Sequence, residues 1–122
     1  MQMRTRFDDC IPVITVRDLM QAREFYTGAL GFGLEFADED IVGLHSGSVR
    51  VYLISTHSLV KRQEAGSANL IFMVDDVDRL YRHCREYTTD IVEEPADRAY
   101  GQRDFAIRDP DGNVLNFACA LR

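Results

Sequence analysis

The chain has 122 residues, 46% of them hydrophobic, and a net charge of −6, which is one domain's worth of soluble, core-forming sequence. Fourteen Lys and Arg against twenty Asp and Glu, with no basic cluster, exclude nucleic acid as a partner, because neutralising phosphates needs dense positive charge. No apolar run approaches the roughly 18 residues of a membrane span, and MQMRTRFDDC has no signal-peptide stretch, so a cytoplasmic location is expected.

Residues 1–8 are polar, and the β-branched run Cys10–Val16 predicts a buried strand. Asp18 then serves as a helix N-cap, with Leu19, Ala22, Phe25, Tyr26, Ala29 and Leu30 at helical spacing and Gly31 closing the helix. Strands are expected at Phe32–Ala37, Ile41–His45 and Val49–Ser55, joined by turns at 38–40 and 46–48. The polar stretch Thr56–Ser67 predicts a linker. Beyond it come a strand at Asn69–Val74, a helix carrying Val77, Leu80, Tyr81 and Cys84 behind Asp75 and Asp76, and a short strand at Ile91–Val92. Pro95–Tyr100 reads as a loop. A hairpin, Phe105–Arg108 and Val114–Ala120 around Asp109–Asn113, closes the chain.

The chain also repeats itself. At a shift of 58, Ile14, Val16, Asp18 and Leu19 fall on Phe72, Val74, Asp76 and Val77. At a shift of 63, Val42–Leu44 falls on Phe105–Ile107 and Val51–Ile54 on Val114–Phe117. Such repetition predicts an α+β fold of two tandem βαβββ modules, about 9–56 and 68–121, joined by a linker at about 57–67 within one domain. Their curved mixed sheet would surround a ligand groove.

The segments IPVITVRDLMQAREFYTGALGF, FADED and YGQRDFAIRDPDGNVLNFA resemble the vicinal oxygen chelate (glyoxalase/bleomycin resistance/dioxygenase) superfamily. Within it they are most similar to the bleomycin-resistance-type binding proteins. The resemblance runs from about Ile11 to Ala118. It implies a homodimer whose grooves are completed by both subunits, with an N-terminal strand open to exchange. In metal-using members each module supplies ligands from the start of its first strand and the middle of its last. Carried over, these places are Ile11, Leu53, Asn69 and Asn116. Two aliphatics and two amides make a poor transition-metal site, so no metal and no other cofactor is expected.

No nucleophile–base arrangement is visible, so no catalytic residue is assigned. The histidines His45, His57 and His83 are isolated, and Cys84 lies on an apolar stripe. Cys10, Cys84 and Cys119 read as reduced thiols, being odd in number and without a CxxC. The acidic residues Glu35, Asp38, Glu39 and Asp40 suit an electrostatic lip for a cation, or simply a solvated turn. Phe36 matches an aromatic lining position of the bleomycin-binding relatives, and Tyr100 stands where those tend to carry tryptophan. The chain itself has no Trp, and Ile41 replaces a common aromatic.

The expected ligand-binding residues are therefore Phe36, Asp38, Tyr52, Ser55, Asn69, Tyr100 and Asn116. The resemblance implies sequestration of a cationic, aromatic, antibiotic-like small molecule. The alternatives are a glyoxalase/dioxygenase-superfamily lyase, isomerase or transferase acting on a small metabolite, with a metal at other positions or metal-free acid–base chemistry by residues such as Glu93, Glu94 or His45, and a regulatory or immunity module that binds a peptide or protein.

Overall fold

A computed structural model describes residues 5–58, 63–88 and 90–121. The first module is β1 (Val13–Val16), α1 (Leu19–Gly28), β2 (Gly33–Ala37), β3 (Ile41–Ser46) and β4 (Val49–Ser55). The second is β5 (Asn69–Met73), α2 (Val77–Cys84), β6 (Ile91–Asp97), β7 (Gln102–Arg108) and β8 (Val114–Ala120). The modules carry separate four-stranded mixed sheets, ordered β1-β4-β3-β2 and β5-β8-β7-β6. In both, the first strand runs parallel to the last and the remaining pairs are antiparallel. The α+β architecture of two βαβββ modules is as the repeat predicts.

The repeat reaches down to single caps. Asp18 accepts from the Gln21 amide, and 58 residues later Asp76 accepts from the Arg79 amide, both at 3.0 Å. These carboxylates satisfy N–H groups that the first helical turn leaves without partners. Asp76, not Asp75, is the second cap. The first helix ends at Gly28, and Gly31 carries the following turn at φ 72°.

Three strand boundaries differ from the sequence expectation by more than one residue. The first strand starts at Val13 rather than Cys10, and residues 5–10 are exposed. Pro12 lacks the N–H a continuing ladder would use. The strand expected at Ile91–Val92 continues to Asp97, straight through Pro95. Proline is tolerated there because β6 is an edge strand whose register on β7 shifts twice. The closing hairpin likewise begins earlier, at Gln102. Of the expected linker, residues 59–62 lie outside the described residues.

The second part of the repeat slips by one residue. β3 maps onto β7 at a shift of 63, since Gly43 pairs with Tyr52 as Ala106 pairs with Asn116. Those pairs place Tyr52 opposite Asn116 in the repeat, a shift of 64 for β4 onto β8. The cause is the turn. Residues 46–49 separate the paired His45 and Arg50, whereas residues 109–113, one more, separate the equivalent Arg108 and Val114. Leu53 therefore corresponds to buried Phe117, and its own side chain is fully buried. A period-2 strand turns every side chain over with a one-residue slip.

That longer turn also joins the modules. Asp109, 4% exposed, accepts from the Tyr26 hydroxyl of α1 at 2.7 Å and from the Asn113 side-chain amide at 2.9 Å. Its other oxygen takes the backbone amides of Asp111 and Asn113. Burial and the neighbouring Asp109 charge push the Tyr26 hydroxyl far above its ordinary pKa, so it stays a donor. Arg17 grips the same turn through Asp111, at 2.8 Å from its backbone amide and 3.2 Å from its guanidinium. Helix meets helix nearby, where the His83 ring lies 2.9 Å from the Gly28 carbonyl. A Cβ on Gly28 would meet the half-exposed Tyr87 ring at 2.7 Å, so a larger residue there would have to displace that ring. The core then runs across both modules, with Phe32 edge-on to Phe72, and Phe72 and Phe105 both stacked on Phe117.

Urea unfolding tests this assignment. Tyr26→Phe should cost about 1.5–3 kcal/mol, because a buried carboxylate loses a donor, and Asp109→Ala about 3–5 kcal/mol, because several buried donors lose their acceptor. Thr15→Val should be neutral or stabilise by up to about 1 kcal/mol. Among the described residues, Thr15 Oγ1 is the buried side-chain polar atom without a partner. Equal losses at all three positions would contradict the assignment.

Candidate functional site

Along β5 the side chains alternate. Leu70 and Phe72 pack toward the core, while Asn69, Ile71 and Met73 stand exposed on the other face. The ladder sets Ile71 beside Asn116 on β8, and Asn116 beside Ala106 on β7. A cleft of about 380 Å³ opens on this face, lined by Asn69, Ile71, Tyr100, Gln102, Asp104, Asn116 and Ala118. Three of the seven residues expected from sequence, Asn69, Tyr100 and Asn116, meet there.

Asn116 is oriented by its surroundings. Its amide nitrogen donates to the Leu70 carbonyl at 2.8 Å and to Asn69 Oδ1 at 2.7 Å. A carbonyl can only accept, so this contact settles which end of Asn116 is nitrogen and, through it, the orientation of Asn69. Both hydrogens of the Asn116 amide are thereby used. Asn116 Oδ1 and Asn69 Nδ2 are left as an acceptor and a donor on two residues that line the cleft.

The second wall carries charge. Tyr100 is 69% exposed and donates its hydroxyl to Asp104 Oδ2 at 2.6 Å. Arg98 donates to Asp104 Oδ1 at 2.7 Å and also to Glu93. Burial alone would raise the Asp104 carboxyl, but the hydrogen bonds from Tyr100 and Arg98 and the Arg98 charge outweigh it. They hold it below the usual carboxylate range. The bond to Asp104 in turn pushes the Tyr100 hydroxyl up. The sequence expectation does not include Asp104 and Gln102, because it starts the strand at Phe105 rather than Gln102. Extending that strand to Gln102 would have placed both on the Asn116 face by simple alternation.

Phe36 and Tyr52 come together on the other sheet. Their rings meet edge to face at 5.0 Å, with Phe36 lying over Gly43, where a Cβ would meet ring carbons at 2.2–2.9 Å. The Tyr52 hydroxyl reaches Glu35 at 3.4 Å, and Arg50 pairs with Glu35 and Asp9. Asp38 sits at the β2–β3 turn, its carboxylate taking the Glu39 amide. Ser55 is 7% exposed and accepts from the His57 amide at the end of β4, which makes it a strand-end cap. Neither residue lines the cleft of the second sheet, so the seven expected residues do not form one site within a chain.

The corrected register changes the metal-ligand places to Ile11, Tyr52, Asn69 and Asn116. The replacement supplies a phenol where a leucine stood. One place remains aliphatic, and the two carboxamides offer only neutral oxygens. This set does not fit a transition metal. Among the described residues no three His, Cys, Asp or Glu side chains group around a common point. Cys84 is buried, and burial pushes its thiol up to about 11, which is unlike a nucleophile. Glu93 is held by Arg98, and Glu93, Glu94 and His45 all lie outside the cleft.

A family model described as "Glyoxalase/Bleomycin resistance protein/Dioxygenase superfamily" matches residues 7–117. The bleomycin resistance protein of Geobacillus stearothermophilus is 27% identical over 126 residues, covering 88% of this chain and 92% of the relative. A bleomycin-binding protein from bleomycin-producing Streptomyces verticillus, solved with copper(II)-bleomycin, superposes with a TM-score of 0.74 at 28% identity. It covers 93% of this chain and 96% of its own. Lactoylglutathione lyase from Agrobacterium tumefaciens has a TM-score of 0.78 at 18% identity, with 95% and 96% covered, and so shares the fold. The chain belongs to the glyoxalase/bleomycin resistance protein/dioxygenase superfamily.

Proposed function

We propose that this is a metal-free binding protein of the bleomycin-resistance type, which sequesters a cationic, partly aromatic small molecule without transforming it. The carrying observation is the cleft on the second sheet, where an exposed tyrosine ring, an ionised carboxylate and two oriented carboxamides converge. An aromatic face beside a carboxylate suits a flat cation. The relatives at 27% and 28% identity, named for bleomycin resistance and bleomycin binding, support the same class.

Phe36 and Tyr52 then complete the groove from a second copy, sheet to sheet. Val13 and Ile71, equivalent in the repeat, are 46% and 71% exposed, and Met73 is 62% exposed. Apolar side chains left open on facing sheets favour association. The turn bearing Asp38, Glu39 and Asp40 would stand at the groove's rim and draw cations toward it.

Calorimetric titration with bleomycin tests this reading. Binding should weaken with added salt, since screened charges attract less. Tyr100→Ala should lower affinity about tenfold through lost stacking. Absence of heat and of thermal stabilisation up to millimolar ligand would contradict it. Light scattering should give twice the 13.9 kDa chain mass at micromolar concentration, and a monomer would count against the shared groove. Binding should survive EDTA, with no stoichiometric zinc, iron or manganese by elemental analysis. Loss of binding together with a removed metal would overturn the metal-free assignment.

A further inference from the structure

Resting on that reading, the geometry points to a more specific recognition device: Asp104 is the anchor for a basic, amide-bearing ligand, and the Tyr100 hydroxyl is the latch it displaces. The acidic turn at 38–40 is not part of this anchor.

Three observations carry the inference. First, Asp104 lines the cleft, with its Oδ1 committed to the Arg98 guanidinium and its Oδ2 held by a phenol. A guanidinium pair is hard to displace, whereas a hydroxyl from a residue 69% exposed is an easy partner to exchange for an ammonium or amidinium N–H. Second, the local charge favours a cation even with Arg98 in place. Glu93 and Asp104 set two carboxylates against that one guanidinium. Third, Asn69 and Asn116 line the other wall, and their mutual hydrogen bond leaves Asn116 Oδ1 as an acceptor and Asn69 Nδ2 as a donor. That pair matches an amide group and leaves nothing buried unpaired.

The latch can move. The Tyr100 ring projects into solvent rather than the core, so its side chain can turn away from Asp104 without disturbing packing. Displacing the hydroxyl leaves the ring free to stack on the ligand. Ring and hydroxyl therefore act in opposite directions on affinity. The ring adds contact, and the hydroxyl competes for the carboxylate.

The test uses the full chain and two isosteric probes, benzamidine and its neutral counterpart benzamide, alongside bleomycin. Titrations are followed by calorimetry and by the side-chain amide NMR signals of Asn69 and Asn116. Wild type should prefer benzamidine over benzamide by about tenfold, with both amide signals shifting. Asp104→Asn should abolish that preference. Tyr100→Phe should tighten benzamidine binding by about threefold, whereas Tyr100→Ala should weaken it. A purely structural role for the pair would make Asp104→Asn and Tyr100→Phe lose affinity together, and that result would overturn the proposal. Bleomycin binding unaffected by Asp104→Asn would also overturn it while leaving the sequestration reading intact. Benzamidine binding at Asp104 without bleomycin binding would support the anchor and remove bleomycin as the ligand. No binding of any probe up to millimolar concentration would end both.

Discussion

The buried carboxylate of Asp109 is the constraint on which the rest of this molecule depends. Each βαβββ module has its own sheet and its own capped helix, and nothing in either sheet's hydrogen bonding connects it to the other. Beside the shared aromatic core and the helix contact, the polar connection runs through one turn. Asp109 takes the Tyr26 hydroxyl from the first module, and Asp111 takes Arg17. Removing water from a carboxylate is tolerable only when its lone pairs are filled. Asp109 has four donors at 2.7–3.0 Å. The turn sequence and the position of Tyr26 are thus mutually required.

This way of joining the modules decides where function can sit. The first module's helix and the second's meet at Gly28 and Ala29, beside a cavity of about 550 Å³ lined by Leu30, Phe32, Arg79, Leu80 and His83. The opposite sheet faces are left open, carrying Val13, Ile71 and Met73 as well as the polar cleft. In the proposed dimer, a second copy would complete the groove, with the aromatic pair of one chain set against the carboxamides of the other. In that arrangement stability and binding use different faces of the same strands. Phe117 supports the core while Asn116, its neighbour in sequence, faces the ligand side.

Much of this was legible in the sequence, for identifiable reasons. Asp18 and Asp76 could be read as caps because each precedes a helical apolar stripe, and the strands β4 and β8 because both are unbroken β-prone runs between turns. The course of β6 was not legible, since its proline and its Glu93–Glu94 pair look like loop chemistry unless the edge position is known. The role of Asp109 was hidden because its partner lies 83 residues away. The one-residue slip between β4 and β8 was invisible without the ladder, and it misplaced Leu53 where Tyr52 belongs. In the cleft, Asn69, Tyr100 and Asn116 could be named from resemblance and repeat. Asp104 needed the true start of β7.

The central claim, a ligand groove shared between two copies, is tested most directly by mixing two damaged chains. Phe36→Ala impairs the aromatic sheet and Tyr100→Ala the cleft, so each homodimer carries two faulty grooves. In a hybrid dimer one groove receives both lesions and the other receives neither. After the two variants are unfolded together and refolded as an equal mixture, about a quarter of the grooves should be intact. Calorimetry should then recover wild-type bleomycin affinity at that fraction of the sites. Affinity in the mixture no better than in either variant alone would contradict the shared groove.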